Sequence, residues 1–439
     1  MKPLIKNLVY TILFMIIIFN LFSCKKLNNF RSFIDDKEDK EIDITINSDD
    51  ESELMDAIEL LNANEGIIFI NTPVINLKKN SIINITGTIP RGIFGLKQDN
   101  GEFPRINFLN KNESNSGIHI YGSDLLLSDI IIENVHGDGI SIFGNNNILD
   151  RVVSRYNYGS GIVVYGDYNT LNYCYSYKNC DANVNSVNAD GFRIYGEIDN
   201  VFNHCFAWEN ANSGFNYVRN MNSSELSYIY CGSWNNGNIN VFTGFYDYNL
   251  GNALDKNLWT IQEIIKSDSK FVNNFYNKKY NIDNAEIDGI PVKEWSAKVE
   301  PKMDGNGFTF GNKNGSQSID VKRDAFYCVA FDNKYGGFID NYNHKYNGYM
   351  TNCVAFSNYI NYKLPYTFSK WENNWSWLSK ESDQLNKVAT QDPRDSDKLY
   401  NIYYSTRNNI VKAISQNMFP DKINFDELLK YLKEKKKLY

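Results

Sequence analysis

Cys24 is the residue nearest the start of the chain whose type and position indicate covalent chemistry. Two lysines lie among the first six residues, an apolar run follows over residues 8–22, and Leu21-Phe22-Ser23-Cys24 resembles a lipobox. A secretory signal has this layout, and acyl chains on such a cysteine hold a protein at a membrane. We therefore predict a lipoprotein signal peptide over residues 1–23 and a lipid-anchored location in the cell envelope, facing the periplasm or the cell surface. An ordinary signal peptide or a single membrane anchor is the alternative.

Three tryptophans near the end of the chain could recognise a sugar. Trp371, Trp375 and Trp377 are close in sequence, and an aromatic ring face suits the apolar face of a sugar. The alternative is that they pack the C-terminal segment onto the rest of the fold. The histidines show no spacing typical of metal ligands; they are His119, His136, His204 and His344.

A repeat of 22 residues must position any such groups. Gly117, Gly139 and Gly161 are spaced 22 residues apart, and each begins a line of alternating residues: GIHIYG, GISIFG and GIVVYG. A fourth line, GFRIYG, begins at Gly191. Alternation of this kind places every second side chain inside. A fixed period with matching side chains predicts a solenoid of stacked parallel coils rather than a β-sandwich.

A second line, with the pattern Cys-x-small-aromatic-x-Asn, recurs in step with the first. Its copies begin at Cys174, Cys205, Cys231, Cys328 and Cys353. Stacked coils would place these residues in columns, which predicts buried, reduced cysteines and a ladder of asparagines at a turn. Asparagine is expected there because it tolerates left-handed backbone and because its amide can bond along the stack. A disulfide framework is the alternative for an exported chain with seven cysteines.

The chain divides into four predicted segments. After the signal peptide, residues 24–53 are rich in acids and lysines and predict a flexible tether. Residues 54–370 hold the repeats and predict an all-β parallel β-helix, interrupted by an insertion over residues 238–304 that breaks the period. Residues 371–439 are expected to form a C-terminal cap with helices.

Helices are predicted at both ends of the solenoid, where a cap protects open strand edges. Ser52 is the predicted N-cap of the first helix, whose apolar face consists of Leu54, Ala57, Ile58 and Leu61. Asn424 precedes the predicted C-terminal helix. The insertion also contains a helix-like run over residues 258–265.

The charge of the chain limits its partners. The formal net charge is -7 and the pI is about 5.3, so nucleic acid is excluded as an expected partner. An acidic surface also disfavours an acidic polysaccharide unless a cation mediates the contact. We expect the protein to be a monomer.

Several of the repeated lines resemble polysaccharide lyase family 9. The matching motifs are Asn188–Phe192 (NADGF), Asn200–Cys205 (NVFNHC), Gly305–Phe308 (GNGF) and Cys328–Asn333 (CVAFDN), and the likeness covers roughly residues 115–365. The resemblance implies a right-handed parallel β-helix of the pectate-lyase type. It also implies an acidic (uronate) polysaccharide as substrate, cleaved by β-elimination.

The resemblance further implies a calcium site. In the family, Ca²⁺ held by acidic side chains neutralises the uronate carboxylate. Asp190 keeps the aspartate of the first motif, but the other ligand positions fall on Asn212, Ser213 and Asn216. Because calcium affinity follows the charge of the ligands, we expect Ca²⁺ to be at most a weakly bound cofactor.

The family's catalytic base is a lysine that follows the GNGF motif, and Thr309 stands at that position. A threonine hydroxyl is not a strong base near neutral pH unless it is activated. Arg219 or Lys313 could take over the role, since a cationic side chain in a groove can neutralise a carboxylate or lose its proton. The alternative is that both are surface charges.

Three hypotheses about function remain. The first is a lipid-anchored lyase that acts on uronate polysaccharide with reduced activity. The second is a non-catalytic, glycan-binding surface lipoprotein on a degenerate lyase scaffold. The third is a structural or adhesive β-helix. Because one fold supports many functions, only the site itself can separate them.

Overall fold

The computed structural model describes most of the repeat region and short pieces beside it. The described residues are 42–87, 91–109, 117–157, 159–179, 189–218, 223–237, 305–311, 320–340, 346–364, 368–381, 383–385, 405, 407–414 and 416–418, together with four short strands between residues 241 and 291. Within this part of the chain, no helix is both long enough and apolar enough to cross a membrane.

Short strands make up nearly all of the described secondary structure. In chain order they are β1 (Ile42–Ile46), β2 (Gly66–Ile70), β3 (Val74–Leu77), β4 (Ile82–Ile85), β5 (Arg91–Gly95), β6 (Arg105–Phe108), β7 (Gly117–Ile120), β8 (Leu125–Glu133), β9 (Ile140–Ile142), β10 (Ile148–Arg155), β11 (Ile162–Val164), β12 (Thr170–Asn172), β13 (Tyr175–Tyr177), β14 (Phe192–Ile194), β15 (Asn200–Asn203), β16 (Phe206–Trp208), β17 (Phe215–Tyr217), β18 (Ser223–Ile229), β19 (Gly232–Trp234), β20 (Val241–Thr243), β21 (Leu258–Thr260), β22 (Glu286–Ile287), β23 (Ile290–Pro291), β24 (Phe308–Thr309), β25 (Asp320–Phe326), β26 (Val329–Phe331), β27 (Gly336–Ile339), β28 (Tyr346–Thr351), β29 (Val354–Phe356), β30 (Ile360–Leu364), β31 (Phe368–Glu372), β32 (Trp375–Trp377) and β33 (Gln384–Leu385). The described helices are α1 (Glu51–Ala63) and α2 (residues 407–414).

The strands of successive coils pair in parallel. One sheet has ten strands: β4, β7, β9, β11, β14, β17, β24, β27, β30 and β33. A second sheet of nineteen strands bends, because the long strand β10 pairs with β12 through Ile148–Asp150 and with β13 through Val153–Arg155. The coils therefore present three faces around one core, and the predicted parallel β-helix is confirmed. The insertion differs, since β20 pairs with β21 and β22 pairs with β23 in antiparallel fashion.

Identical residues stack inside the coils. Phe192, Phe215, Phe308 and Phe338 line the inside of the ten-stranded sheet, with successive ring centroids 4.7–4.9 Å apart. The five repeat cysteines form a buried column of free thiols, as predicted. The Sγ atom of Cys205, for example, donates to the carbonyl oxygen of Leu171 at 3.3 Å. Such a column behaves as a set of small apolar core residues.

The predicted asparagine ladder is present, but one of the reasons given for it is wrong. Each Nδ2 donates to the Oδ1 of the ladder asparagine in the next coil, at 2.8–3.1 Å, through Asn157, Asn179, Asn210, Asn236, Asn333 and Asn358. The left-handed backbone belongs to the preceding residue, such as Lys178 with φ 55° or Glu209 with φ 53°. Asparagine is therefore required for its two-ended amide rather than for its backbone.

The coils extend past both limits set by the sequence. Strand β1 lies within the stretch expected to be a tether and pairs with β2, with Ile42 opposite Gly66. Strands β31 to β33 continue the coils beyond residue 370. Helix α1 buries the predicted apolar face, but its N-cap is Asp50, whose side chain accepts from the Ser52 N–H at 2.9 Å. Ser52 as N-cap is therefore wrong by two positions. The helix expected after Asn424 lies outside the described residues.

The helix predicted over residues 258–265 is wrong for the three residues of this stretch that the structure describes. Leu258–Thr260 is strand β21, and its partner is β20. Leucine, tryptophan and threonine in sequence suit a strand as well as a helix, and pairing with a neighbouring strand decides between the two. The remainder of the run lies outside the described residues.

Trp371 and Trp375, near the end of the repeats, contribute to packing. Trp375 is 9% exposed and belongs to an apolar cluster on the outside of the bent sheet. Ile410 and Ile414 of helix α2 belong to the same cluster. Trp371 is partly buried and packs against the inner core. The packing alternative is therefore supported for these two tryptophans, and the side chain of Trp377 lies outside the described part.

The asparagine ladder makes a testable contribution to stability. Asn210→Ala removes the Oδ1 that accepts from both the N–H and the Nδ2 of Asn179. Two buried donors are then left unpaired, so we expect the free energy of unfolding to fall by roughly 2–4 kcal/mol. Chemical denaturation measures this change. Asn145→Ala is the matched control at an exposed turn, where Oδ1 accepts only from the Asp167 N–H, and an equal loss there would contradict the account.

Candidate functional site

The outer face of the ten-stranded sheet brings together most of the residues singled out by the sequence. Strands β14, β17 and β24 are neighbours, and their register places Arg193 beside Asn216 and Asn216 beside Thr309. The residues on either side of Arg193, Phe192 and Ile194, are fully buried in the core. Because side chains alternate along a strand, Arg193, Asn216 and Thr309 face outward in one column.

Asp190 lies in the turn just before β14 and is fully buried. Its Oδ1 accepts from the Nδ2 of Asn212 at 2.8 Å and from the N–H of Ser213 at 3.0 Å. Its Oδ2 accepts from the Nδ2 of Asn216 at 3.0 Å. A buried carboxylate must be compensated by charge or by hydrogen-bond donors, and here three N–H donors from the next coil supply that compensation.

The four residues expected at the calcium site are therefore adjacent, but their arrangement does not fit a calcium ion. Ca²⁺ requires six to eight oxygen atoms that converge on one point. The carboxylate of Asp190 instead receives the amide nitrogens of Asn212 and Asn216 and the backbone nitrogen of Ser213. An ion at this carboxylate would displace those donors. In the described part of the chain, no group of three acidic, histidine or cysteine residues could hold a metal ion.

Thr309 cannot supply the missing base. Its side chain is 3% exposed, and its Oγ1 has no hydrogen-bond partner among the described residues. A hydroxyl becomes a base or nucleophile only when an adjacent group takes its proton. Arg219 and Lys313, the two residues predicted as substitutes, lie outside the described residues, as does Cys24.

Arg193 is a site residue that the sequence interpretation missed. Its guanidinium lies 5.3 Å from the centre of the Tyr195 ring. Burial disfavours the charge of Arg193, but the carboxylates of Asp190 and Asp138 together with nearby tyrosines raise its pKa. The signal was present in the line GFRIYG, because arginine occupies the outward position that holds His119 or Ser141 in earlier coils.

A ladder of aromatic rings borders the same face. Tyr121, Phe143, Tyr165 and Tyr195 stack with centroids 4.6–4.8 Å apart. Within the ladder each ring face is covered by its neighbour, so the inner rings offer edges and hydroxyls rather than faces. Burial raises the pKa of Tyr165 to about 12 and also raises the pKa of Tyr195. Both phenols therefore stay protonated near neutral pH and can donate hydrogen bonds, but they are poor bases.

The comparisons with known proteins agree with the parallel β-helix of the described coils. Residues 35–252 match the family described as "Pel9A-like, right handed beta helix region". This match confirms the predicted resemblance and the right-handed parallel β-helix. A comparison with curated proteins finds no match.

Solved structures that this chain matches include several lyases. The crystal structure of the pectate lyase Pel9A shares 19% sequence identity, with a TM-score of 0.48, over 75% of this chain and 70% of that chain. A rhamnogalacturonan lyase shares 16% identity, with a TM-score of 0.47, over 74% of this chain and 78% of that chain. An alginate lyase from Paenibacillus sp. str. FPU-7 shares 9% identity, with a TM-score of 0.35, over 78% of this chain and 99% of that chain.

The hydrogen bonds that the Asp190 carboxylate accepts oppose the binding of calcium. Because Asp190 already accepts three N–H donors, we expect Ca²⁺ to bind with a dissociation constant of about 10⁻⁴ M or weaker. Isothermal titration calorimetry measures it. The variant with Asn212→Asp, Ser213→Asp and Asn216→Asp restores carboxylates and should bind more tightly. Micromolar affinity in the unaltered protein, abolished by Asp190→Ala, would show that the fit argument is wrong.

Proposed function

We propose that this protein is a surface-anchored, glycan-binding β-helix that holds an acidic polysaccharide without cleaving it by metal-dependent elimination. The observation that carries the proposal is the hydrogen-bond network of Asp190, which takes up the carboxylate on which a metal ion would depend. The match over residues 35–252 supports a polysaccharide as the class of ligand.

Elimination requires three steps, and the described face provides few of the groups that these steps need. The uronate carboxylate must be neutralised, a base must remove the proton on the adjacent carbon, and the leaving oxygen must depart or be protonated. Thr309 offers a buried hydroxyl in place of an amine. Tyr165 and Tyr195 hold their protons, because the pKa of each is raised. A hydroxyl and two protonated phenols cannot remove a carbon-bound proton at a useful rate near neutral pH.

Binding of a polysaccharide requires no catalytic base, and the same face is suited to it. Equivalent positions of successive coils lie about 4.8 Å apart, so a linear polymer laid along the solenoid would meet an aromatic ring at each of four successive coils. The outward column reads Ser141, Val163, Arg193 and Asn216, of which Arg193 alone is partly exposed, and the aromatic ladder adds phenol groups along one side. Tyr121, at the end of the ladder, is 51% exposed. The phenol hydroxyls of such a ladder can donate hydrogen bonds to the oxygen atoms of a sugar.

The proposal includes the location of the protein. Acyl chains on Cys24 would anchor it in the cell envelope, and residues between Cys24 and β1 would space the β-helix from the membrane. The described face is built from residues of one chain, so we propose a monomer. Globomycin treatment of cells that express the full chain, followed by mass analysis of the N-terminus, tests the lipid anchor.

One assay separates binding from cleavage. The mature protein should slow in affinity electrophoresis through gels that contain polygalacturonate, while the absorbance of unsaturated products stays at background. A missing general base typically lowers an elimination rate by roughly 10²–10⁴-fold. Rapid formation of unsaturated products by the unaltered protein would overturn the proposal.

Variants that introduce the lysine and the aspartates implied by the family resemblance test whether these residues are what elimination lacks. Thr309→Lys alone should remain inactive, because the uronate carboxylate still lacks a metal partner. Thr309→Lys combined with Asn212→Asp, Ser213→Asp and Asn216→Asp should release unsaturated products in the presence of Ca²⁺. If the single variant regains full activity without Ca²⁺, the loss of the base alone explains the inactivity and the role given to Asp190 is wrong.

A further inference from the structure

The aromatic ladder on the outer face is held by the same backbone contact in every coil. The N–H groups of Tyr121, Phe143, Tyr165 and Tyr195 each donate to a carbonyl oxygen of the preceding coil at 2.7–2.8 Å. The planes of neighbouring rings are within 9° of parallel. Because the frame repeats, the four rings form one stack along the solenoid.

The stack ends at Tyr121 with an open ring face. Ile85 pairs with Ile120, so the position equivalent to Tyr121 in the preceding coil is Thr86, which has no ring. In the described part of the chain, the only ring stacked on Tyr121 is that of Phe143. Tyr121 is 51% exposed, compared with 38% for Phe143 in the middle of the ladder. The greater exposure is expected of a ring that has one face uncovered.

The other end of the ladder is covered. The position that follows Tyr195 in the next coil is Val218, whose N–H donates to the carbonyl oxygen of Ile194 at 2.9 Å. The guanidinium carbon of Arg193 lies 5.3 Å from the centre of the Tyr195 ring, and Tyr195 is only partly exposed. The ladder therefore presents its open face at the Tyr121 end.

Polar groups border the open face of Tyr121. Asn84 and Thr86 are exposed on the outer side of β4, and Asn84 pairs with His119 of the next coil. The His119 ring is edge-on to the Tyr121 ring, with centroids 6.0 Å apart. Asn62 of helix α1 fixes this level, because its Oδ1 accepts from the Thr86 N–H at 2.7 Å and its Nδ2 donates to the carbonyl oxygen of Asn84 at 2.8 Å.

A pyranose ring fits this arrangement. Its C–H groups form an apolar face with a slight positive charge, which suits the electron-rich face of a phenol ring. Its hydroxyl groups lie around the rim, where the amide of Asn84 and the hydroxyl of Thr86 can donate or accept hydrogen bonds. A purely apolar ligand would desolvate the same amide and hydroxyl without pairing them.

We propose that the open face of Tyr121 stacks against one pyranose residue of the bound polysaccharide. The sugar lies at the level of β4, where a fifth ring of the ladder would stand if Thr86 were aromatic. This inference rests on the proposed function and assigns it a specific sugar subsite. The inner rings present their edges to a ligand, so recognition of a sugar face is confined to this end of the ladder.

The test measures the dissociation constant for sodium polygalacturonate by affinity electrophoresis. Tyr121→Leu keeps Phe143 covered but removes the flat ring, and it should weaken binding by about three- to tenfold. Tyr121→Phe keeps the ring and should bind within about twofold of the unaltered protein. Tyr349→Leu, at an exposed tyrosine of the other sheet, is the matched control and should bind normally.

A second variant blocks the subsite without changing Tyr121. Thr86→Leu places a branched side chain at the level of the missing ring, in an exposed position, and should weaken binding by a similar factor. Thermal unfolding shows whether each variant is folded. Sedimentation velocity of the protein alone shows whether Tyr121 instead contacts a second copy of the chain.

Three results would overturn the inference while glycan binding stands. Either leucine variant could fold and bind polygalacturonate as tightly as the unaltered protein. Tyr121→Phe could bind as weakly as Tyr121→Leu, which would assign the effect to the hydroxyl rather than to the ring. The unaltered protein could sediment as a dimer that Tyr121→Leu dissociates, which would make a second copy the occupant. If the unaltered protein does not bind polygalacturonate, both the inference and the proposed function are overturned.

Discussion

In-register pairing of successive coils is the constraint on which the rest of this structure depends. Each coil is too small to bury its own apolar face, so it is stable only against its neighbours. Pairing at the strand spacing then aligns equivalent residues into columns. A polar residue inside such a column must find its partner in the coil above or below, and the ladder from Asn157 to Asn358 satisfies this need with one residue type. Two-ended amides stack without limit, which aspartate or lysine could not do.

The same rule explains the candidate site. The carboxylate of Asp190 is buried, and a buried charge needs a partner. A metal ion is one solution, which requires further carboxylates in the next coil. The chain has Asn212, Ser213 and Asn216 in that coil instead, and their N–H groups are the other solution. The chemistry of this turn is therefore that of a carboxylate closed by hydrogen bonds from the next coil.

Features that follow from the repeat period could be predicted from the sequence. Features that depend on which residues pair between coils could not. The 22-residue spacing of Gly117, Gly139 and Gly161 was enough to predict parallel coils, the cysteine column and the asparagine ladder, because equal spacing implies equal position. Arg193 was missed because its importance arises from Asp138, two coils earlier, and from Asn216 in the next coil. Strand β1 was missed for a similar reason. Its isoleucines lie among many charged residues, and only pairing with β2 makes a strand of them.

The N–H donors of Asn212, Ser213 and Asn216 close the Asp190 carboxylate against a metal ion. The most direct measurement is a high-resolution crystal structure of the mature protein, grown with millimolar CaCl₂ and examined for anomalous scattering near this residue. The account predicts no anomalous peak and nitrogen-to-oxygen distances of 2.8–3.0 Å from Asn212, Ser213 and Asn216 to Asp190. An anomalous peak about 2.3–2.6 Å from a carboxylate oxygen of Asp190, at a calcium-to-oxygen distance, would contradict it.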